Sequence, residues 1–309
     1  MIELIKAVCF SKEEAMSNKD NFVIISDSAC DLPDVYKEKY DIDIVPFYVT
    51  FDGTTYYAEK VDITLEDFYK RMLNKEYPKT SLPSISDYTD KFVKYAKQGK
   101  DILCINITSK FSGSYQSAVN AASIVSEDYP DIKIEIVDSL QGAGGQGLVV
   151  YQAALMREAG LSITETAEKL NIIRHDGEVI FSVGELDFLV NGGRLGKAAS
   201  LVGTILNIKP IIAIKTGELM PYSKVRGNKK VLKEMVNIAM NNVGQQKDDY
   251  YFVVVDTTRK DDGKTIEELL LENNVDFVSP VFQIGGCISA HSGPSTVGLA
   301  YLRKYDRIK

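Results

Sequence analysis

The segment Ile102-Leu103-Cys104-Ile105-Asn106-Ile107 is apolar at nearly every position. Side chains of a strand alternate between two faces, so such a run needs cover on both, as strands of a parallel sheet have between layers of helix. The surrounding sequence supplies those helices. Phe22-Val23-Ile24-Ile25 is a β-branched run ending in Ser26-Asp27-Ser28, after which Asp31-Leu32-Pro33 offers an N-cap with a proline in the first helical turn. Ile63 to Leu73 has helical spacing, and Ser84-Ile85-Ser86-Asp87 predicts a capping box opening a helix through Tyr95. A helix near Ser114 to Val125, a strand over Ile132 to Val137, and a Gly-rich loop leading into a helix over Leu148 to Glu158 follow. Asp52-Gly53, between Ile42 to Phe51 and Thr54 to Tyr57, is the strongest hairpin signal. Strands alternating with helices at this spacing predict a parallel sheet built from βαβ units.

The second half reads differently. After an amphipathic helix over Leu161 to Ile173, strands are expected at Val179 to Val183, Ile208 to Ile214, Glu218 to Tyr222, Tyr250 to Asp256 and Asp276 to Phe282, with two or three helices among them. The expected architecture is α/β in two domains. Residues 22–170 carry a mainly parallel, Rossmann-like sheet, residues 171–309 a mixed sheet, and residues 1–21 form an N-terminal extension.

At 309 residues, 45% hydrophobic and 26% charged, the chain has material for two cores. A net charge of -7 gives no broad basic field, which argues against nucleic acid or an anionic membrane surface as partner. Cys9, Cys30, Cys104 and Cys287 form no CxxC pair and read as buried reduced thiols, so a reducing compartment is expected. No apolar run is long enough to cross a bilayer, and Met1 to Asn21 mixes charges into its apolar residues instead of forming a signal-peptide core. The expectation is a cytoplasmic protein without stable membrane insertion.

Chemistry concentrates in small hydroxyl clusters. Thr80-Ser81 and Ser112-Gly113-Ser114 stand where apolar runs give way to helical patterns, so hydroxyls and free backbone N–H groups are available to an anion. Ordinary helix capping explains each cluster alone. His291, in a Gly-, Ser- and Pro-rich turn, is the one plausible imidazole partner, whereas His175 reads as an exposed turn residue. No metal-ligand cluster or activated nucleophile accompanies them, so a carboxylate-binding site is the first hypothesis. Asn191-Gly192-Gly193-Arg194-Leu195-Gly196-Lys197 can approach phosphate closely but lacks P-loop spacing, and Arg226 is a second candidate for an anion or partner. For either arginine alone, a solvated surface role is the plainer reading. The glycines of Gly142 to Gly147 do not fit a dinucleotide fingerprint and read as permitting close backbone packing.

Taken together, Ile25 to Pro33, Thr80 to Ser84, Ser109 to Gln116, Val137-Asp138-Ser139, Asn191 to Gly196 and His291 to Pro294 resemble the DegV family over roughly Phe22 to Tyr301. Its best-understood members are the FakB fatty-acid-binding subunits of bacterial fatty acid kinase. The resemblance implies two α/β domains with a long-chain fatty acid at their interface, whose carboxylate a separate ATP-dependent kinase subunit phosphorylates to an acyl phosphate feeding phospholipid synthesis. It implies that Thr80, Ser81, Ser112, Gly113 and His291 hold the carboxylate, and that Arg194 and Arg226 serve phosphoryl transfer or kinase docking. No cofactor is implied, and the chain is not catalytic alone. Two departures stand out: Met1 to Asn21 precedes the usual start, and Ala143 replaces a serine common among relatives.

Physically the set is coherent, because hydroxyls and an imidazole N–H hold a carboxylate without a fixed unit charge, while acyl burial supplies affinity. Leu201, Ile205, Ile208, Ile211 and Ile212 are candidates to line an acyl tunnel, with core packing as the plainer role for most. The competing reading is a serine-type acyl-ester hydrolase with Ser112 as nucleophile and His291 as base, against which stands the absent GxSxG elbow. A third is a sensor of phosphorylated metabolites built on the glycine-arginine loop.

Overall fold

A computed structural model describes residues 22–201 and 208–308. The chain opens with β1 (Phe22–Asp27), α1 (Asp34–Lys39), β2 (Ile42–Val45), β3 (Tyr48–Thr50), β4 (Tyr57–Ala58), α2 (Leu65–Leu73), β5 (Lys79–Ser81) and α3 (Ile85–Ala96). It continues with β6 (Asp101–Asn106), α4 (Ser114–Asp128), β7 (Ile134–Asp138), α5 (Ala143–Glu158) and α6 (Ile163–Ile173). The remaining elements are β8 (Gly177–Ser182), α7 (Asp187–Asn191), β9 (Ile208–Lys215), β10 (Glu218–Arg226), α8 (Asn228–Val243), β11 (Tyr250–Asp256), α9 (Lys260–Glu272), β12 (Phe282–Gln283), α10 (Gly286–Ser292) and β13 (Val297–Arg303).

The βαβ half folds as its pattern predicts, into a four-stranded, wholly parallel sheet in the order β2-β1-β6-β7. Five of the six β6 residues are buried, so the strand is covered on both faces. Ser84 and Asp87 close the expected capping box at α3. The second half forms a six-stranded mixed sheet, β10-β9-β8-β13-β11-β12, in which only the β11–β12 pair is parallel. Its centre includes β13, a strand the sequence pattern did not reveal. Conversely, most of the strand expected over Asp276 to Phe282 is not one, and only Phe282–Gln283 pairs.

Two local departures shape the site. The run Ile42 to Phe51 is not one strand, since Pro46, without an N–H for a ladder, separates β2 from β3. β3 then joins β4 and β5 in a small antiparallel sheet that places Thr80 opposite Val49. Asp31 is not an N-cap either: Pro33 occupies that position, while Asp31 is left-handed (φ 52°) and fully buried.

Helix α5 lies between the two large sheets and touches β1, β6, β8, β11 and β13. It begins at Ala143, five residues before the predicted start, and the intervening glycines are inside it. A helix apolar on every side belongs between layers, and here its glycines let it approach them. A Cβ at Gly144 would lie 2.5 Å from Val255, and one at Gly147 would lie 2.6 Å from the Cys30 carbonyl oxygen. Side chains of both sheets therefore share one core, in which Ile24, Leu103 and Ile105 meet Val179, Ile212 and Val253 around α5. Cys30, Cys104 and Cys287 are buried free thiols, and Cys9 lies outside the described residues.

Candidate ligand-binding site

In the parallel sheet the chain leaves β1 to one side for β2 and to the other for β6 and β7, so the strand order reverses beside β1. Loops after the carboxyl ends of strands diverge there, and open α/β sheets characteristically bind ligands in that crevice. A cavity of about 440 Å³ lies there, enclosed by both halves of the chain. Thr80, Ser81, Ser112, Gly113, Arg194 and His291 all line it. Its remaining wall is largely apolar, with Ile107, Phe181, Leu189, Ile214, Leu219 and Ile288. Of these, Ile107, Phe181, Leu189, Ile214 and Leu219 are each at most 6% exposed, whereas Ser81, Gly113 and Arg194 are exposed. The cavity thus has a greasy floor and a polar mouth.

Each polar group is delivered by a different device. Thr80 and Ser81 lie on β5, not directly at a helix start, and Thr80 Oγ1 is 3.0 Å from His291 Nε2. Ser112 Oγ accepts from the Ser114 N–H at 3.2 Å, so it caps the start of α4 as well as facing the cavity. Capping occupies the oxygen's lone pair and leaves its O–H free to donate. Gly113 sits at the N-terminus of this fifteen-residue helix, where unpaired N–H groups and the helix dipole favour negative charge.

His291 is not in a turn; it occupies the last turn of α10, which stops at Gly293 with φ 88°. Its Nδ1 side faces Gly192, where there is no room for a Cβ, so the glycine-arginine loop is glycine partly to admit this ring. Burial first and the Arg194 charge second hold the imidazole down at about 4, opposed by the nearby Gly192 carbonyl, which is not aligned with Nδ1 for a hydrogen bond. The ring is therefore neutral at pH 7 and offers one N–H. Arg194 donates to the carbonyls of Phe111 (3.3 Å) and Gly192 (2.8 Å), tying both loops at the mouth.

Other sequence candidates lie elsewhere. Arg226 is exposed at the far end of β10, seven residues beyond Leu219, which is roughly 20 Å along the strand. Ile211 and Ile212 are fully buried core residues, Ile208 is partly buried outside the cavity lining, Ile205 lies outside the described residues, and so does the Leu201 side chain. Ala143 does not line the cavity.

Sequence reasoning also missed a buried polar hub beneath the mouth. Asp27 Oδ2 accepts from Ser114 Oγ (2.8 Å), the Ile107 N–H (3.0 Å) and Asn106 Nδ2 (3.2 Å), while Oδ1 accepts from Gln146 Nε2 (2.8 Å). Burial pushes its pKa up and the four hydrogen bonds pull it back. The only sequence signal was a Ser-Asp-Ser triplet at the end of a buried strand. Among the described residues no group of three or more His, Cys, Asp or Glu is disposed to hold a metal ion, and no helix is long and apolar enough to cross a membrane.

With this geometry in hand, the comparisons with known proteins fall into place. The DegV family model, described as uncharacterised proteins, matches residues 21–304. The chain belongs to the DegV family. A DegV domain-containing protein of Streptococcus pyogenes serotype M3 is 34% identical over 93% of this chain and 99% of its own. A Thermotoga maritima DegV relative named a fatty acid-binding protein is 35% identical over 89% of this chain and 95% of its own. Among solved structures, a stearic acid-binding protein from Eubacterium ventriosum is 39% identical, covers 93% of this chain and 100% of its own, and superposes with a TM-score of 0.89. A DegV family protein from Thermus thermophilus, described as binding fatty acid, is 27% identical over 92% of this chain and 99% of its own, with a TM-score of 0.84.

The His291 environment makes a direct prediction for this DegV protein. An opposite charge within reach raises an imidazole's pKa by about 1 unit or more. A carboxylate seated beside the ring should therefore move the His291 midpoint up from about 4 by at least that much, read from imidazole nitrogen shifts with His175 as the second signal. An unmoved midpoint with a carboxylate ligand bound shows that the anion does not lie beside His291. Without ligand, the unfolded chain takes up this proton near 6.5 and the folded ring only near 4, so the stability His291 contributes is complete above about pH 6.5 and fades as pH falls towards 4. Asp31, which burial pushes up to about 7 against the pull of Lys60, acts in the opposite sense over that window. The single-residue titration, not the melting curve, is the clean readout.

Proposed function

We propose that this protein binds one long-chain fatty acid, seats the acyl tail on the apolar floor, and holds the carboxylate with Thr80, Ser81, Ser112, the Gly113 backbone and His291. It presents that carboxylate to a separate ATP-dependent fatty acid kinase subunit, which forms an acyl phosphate for phospholipid synthesis. The observation that carries the reading is a single cavity joining a buried apolar floor to a mouth of hydroxyl, backbone and imidazole groups, with Arg194 and Lys110 beside them. The fatty-acid-binding relatives support the ligand class. Arg194, at the mouth, is positioned to stabilise charge during phosphoryl transfer, and Arg226, remote from it, is left with docking. The protein works in the cytoplasm and needs no cofactor of its own.

A hydrolase needs an oriented base. His291 Nε2 meets Thr80 instead of Ser112, and its Nδ1 has no carboxylate partner. Incubation with a chromogenic acyl ester is expected to give no burst of product.

The test is native mass spectrometry of protein purified from cells, with lipid extraction. One long-chain acid per chain is expected. Ser112→Ala should retain it more weakly, by about tenfold, since a hydrogen bond to a charged group contributes about 1.5 kcal/mol or more. Empty wild-type protein that also fails to take up hexadecanoate overturns the proposal.

A further inference from the structure

We propose that Asp31 and Glu59 form a paired carboxylate clamp on the N-terminus of α10 and so act as positioning residues for the His291 imidazole. Seven residues make too short a helix to hold a position by its own propensity. Its N-terminus carries no local Ser, Thr or Asn cap, only Gly285-Gly286. The caps come from far away in the chain. Asp31 Oδ1 accepts from the Gly285 N–H at 2.7 Å, and Glu59 Oε2 accepts from the Cys287 N–H. These partners lie 254 and 228 positions earlier in sequence.

The arrangement leaves no room for a Cβ at Gly285 and little at Gly286. A Cβ at Gly285 would fall 2.8 Å from Asp31 Oδ1 and 3.1 Å from Glu59 Oε1, and one at Gly286 would fall 3.3 Å from Glu59 Oε2. The carboxylates are 1% and 2% exposed, with Lys60 Nζ 3.6 Å from Asp31 as the nearby cation. Asp31 Oδ2 and Glu59 Oε1 are buried without a hydrogen-bond partner. Ordinary capping by one serine would avoid that desolvation. Two imported carboxylates do something one serine cannot, which is to tie the helix to two separate segments of the first half and fix its place across the cavity. Cys287 and His291 are four residues apart, on one helix face and about 6 Å apart in rise, and both line the cavity. A shift at the clamped end is therefore delivered to the imidazole.

The ligand-binding arm of the test rests on the fatty-acid reading; the imidazole arm does not. In unliganded protein, Glu59→Ala should move the His291 imidazole signals and raise its titration midpoint towards the ordinary value while leaving the His175 signals in place. Glu59→Gln, which keeps an acceptor for the Cys287 N–H, should restore most of the wild-type behaviour. In hexadecanoate titrations, Glu59→Ala should weaken binding about tenfold in the wild-type background and not further in a His291→Ala background. Unchanged His291 signals, or equal losses in both backgrounds, overturn the clamp as a positioning device. If Glu59→Ala does not fold, Asp31→Asn carries the same cycle, with the same two outcomes. Wild-type protein that ignores hexadecanoate refutes the fatty-acid reading and leaves the imidazole arm to decide the clamp.

Discussion

Octanoate should bind at least a thousandfold more weakly than hexadecanoate. The eight methylenes removed each contribute about 0.8 kcal/mol on burial, or about 6 kcal/mol together, which is roughly four decades in affinity before ordering costs. Nothing at the polar mouth competes with that magnitude. Losing the Ser112 hydroxyl removes a donor worth about 1.5 to 3 kcal/mol, His291 is neutral, and the exposed Arg194 and Lys110 cations add about 1 kcal/mol each at most, too little to compensate for a short tail. On the proposed reading head-group contacts set orientation, and the floor lined by Ile107, Phe181, Leu189, Ile214 and Leu219 sets affinity. Isothermal titration across the even-numbered saturated acids measures the slope per methylene. If octanoate binds within tenfold of hexadecanoate, the cavity is a carboxylate site without an acyl chamber.

How far the fold could be read from sequence depends on where each element's stability comes from. The parallel half was legible because its signals are local, as in the uninterrupted apolar run of β6 and the Ser84–Asp87 capping box. β13 was not, because Gly298 interrupts the strand pattern. That glycine is there for a tertiary reason, since its Cβ would collide with the Ile180 carbonyl of the neighbouring strand. The start of α5 was hidden the same way, by glycines that look like a loop and are in fact close contacts with Val255, Val179 and Cys30. Asp31 followed local capping logic in sequence and a partner 254 residues away in space.

The site shows the same division. Thr80, Ser112, Arg194 and His291 were legible only as a set, through the resemblance to the DegV family, because capping or a solvated surface explains the hydroxyls and the arginine taken singly. Their convergence on one cavity is a property of the switch point, visible only with the strand order. Apolar lining was not legible. Ile212 and Ile214 share one face of β9 and one core, yet only Ile214 also lines the cavity, and no periodicity distinguishes two residues on the same face.

Asp27→Ala should be the most damaging single substitution beneath the site, costing about 3 kcal/mol, the upper end for leaving a buried donor unsatisfied. The carboxylate accepts from four buried donors. Alanine deprives the Ile107 N–H of its acceptor, whereas Asn106 and Ser114 keep Tyr88 Oη and Gln146 keeps Ser26 Oγ. Two of those donors, the Ile107 N–H and the Ser114 hydroxyl, bracket the loop that carries Ser112 and Gly113, so fatty-acid retention should fall along with stability. Asp27→Asn separates hydrogen bonding from charge. Its amide oxygen can keep the three donors at the Oδ2 position, and its NH₂ would then face Gln146, whose Oε1 has no partner and can turn to accept it. The loss expected for asparagine is thus about 1 to 2 kcal/mol, set by one rearranged contact with the Ile107 N–H still satisfied. Urea unfolding of both variants, with retained lipid quantified in parallel, decides the matter. Should Asp27→Ala unfold within about 1 kcal/mol of wild type, or asparagine prove as harmful as alanine, the hub does not act as an acceptor for the loop. A loss of stability with unaltered lipid retention would instead confine its role to the core and detach it from the mouth.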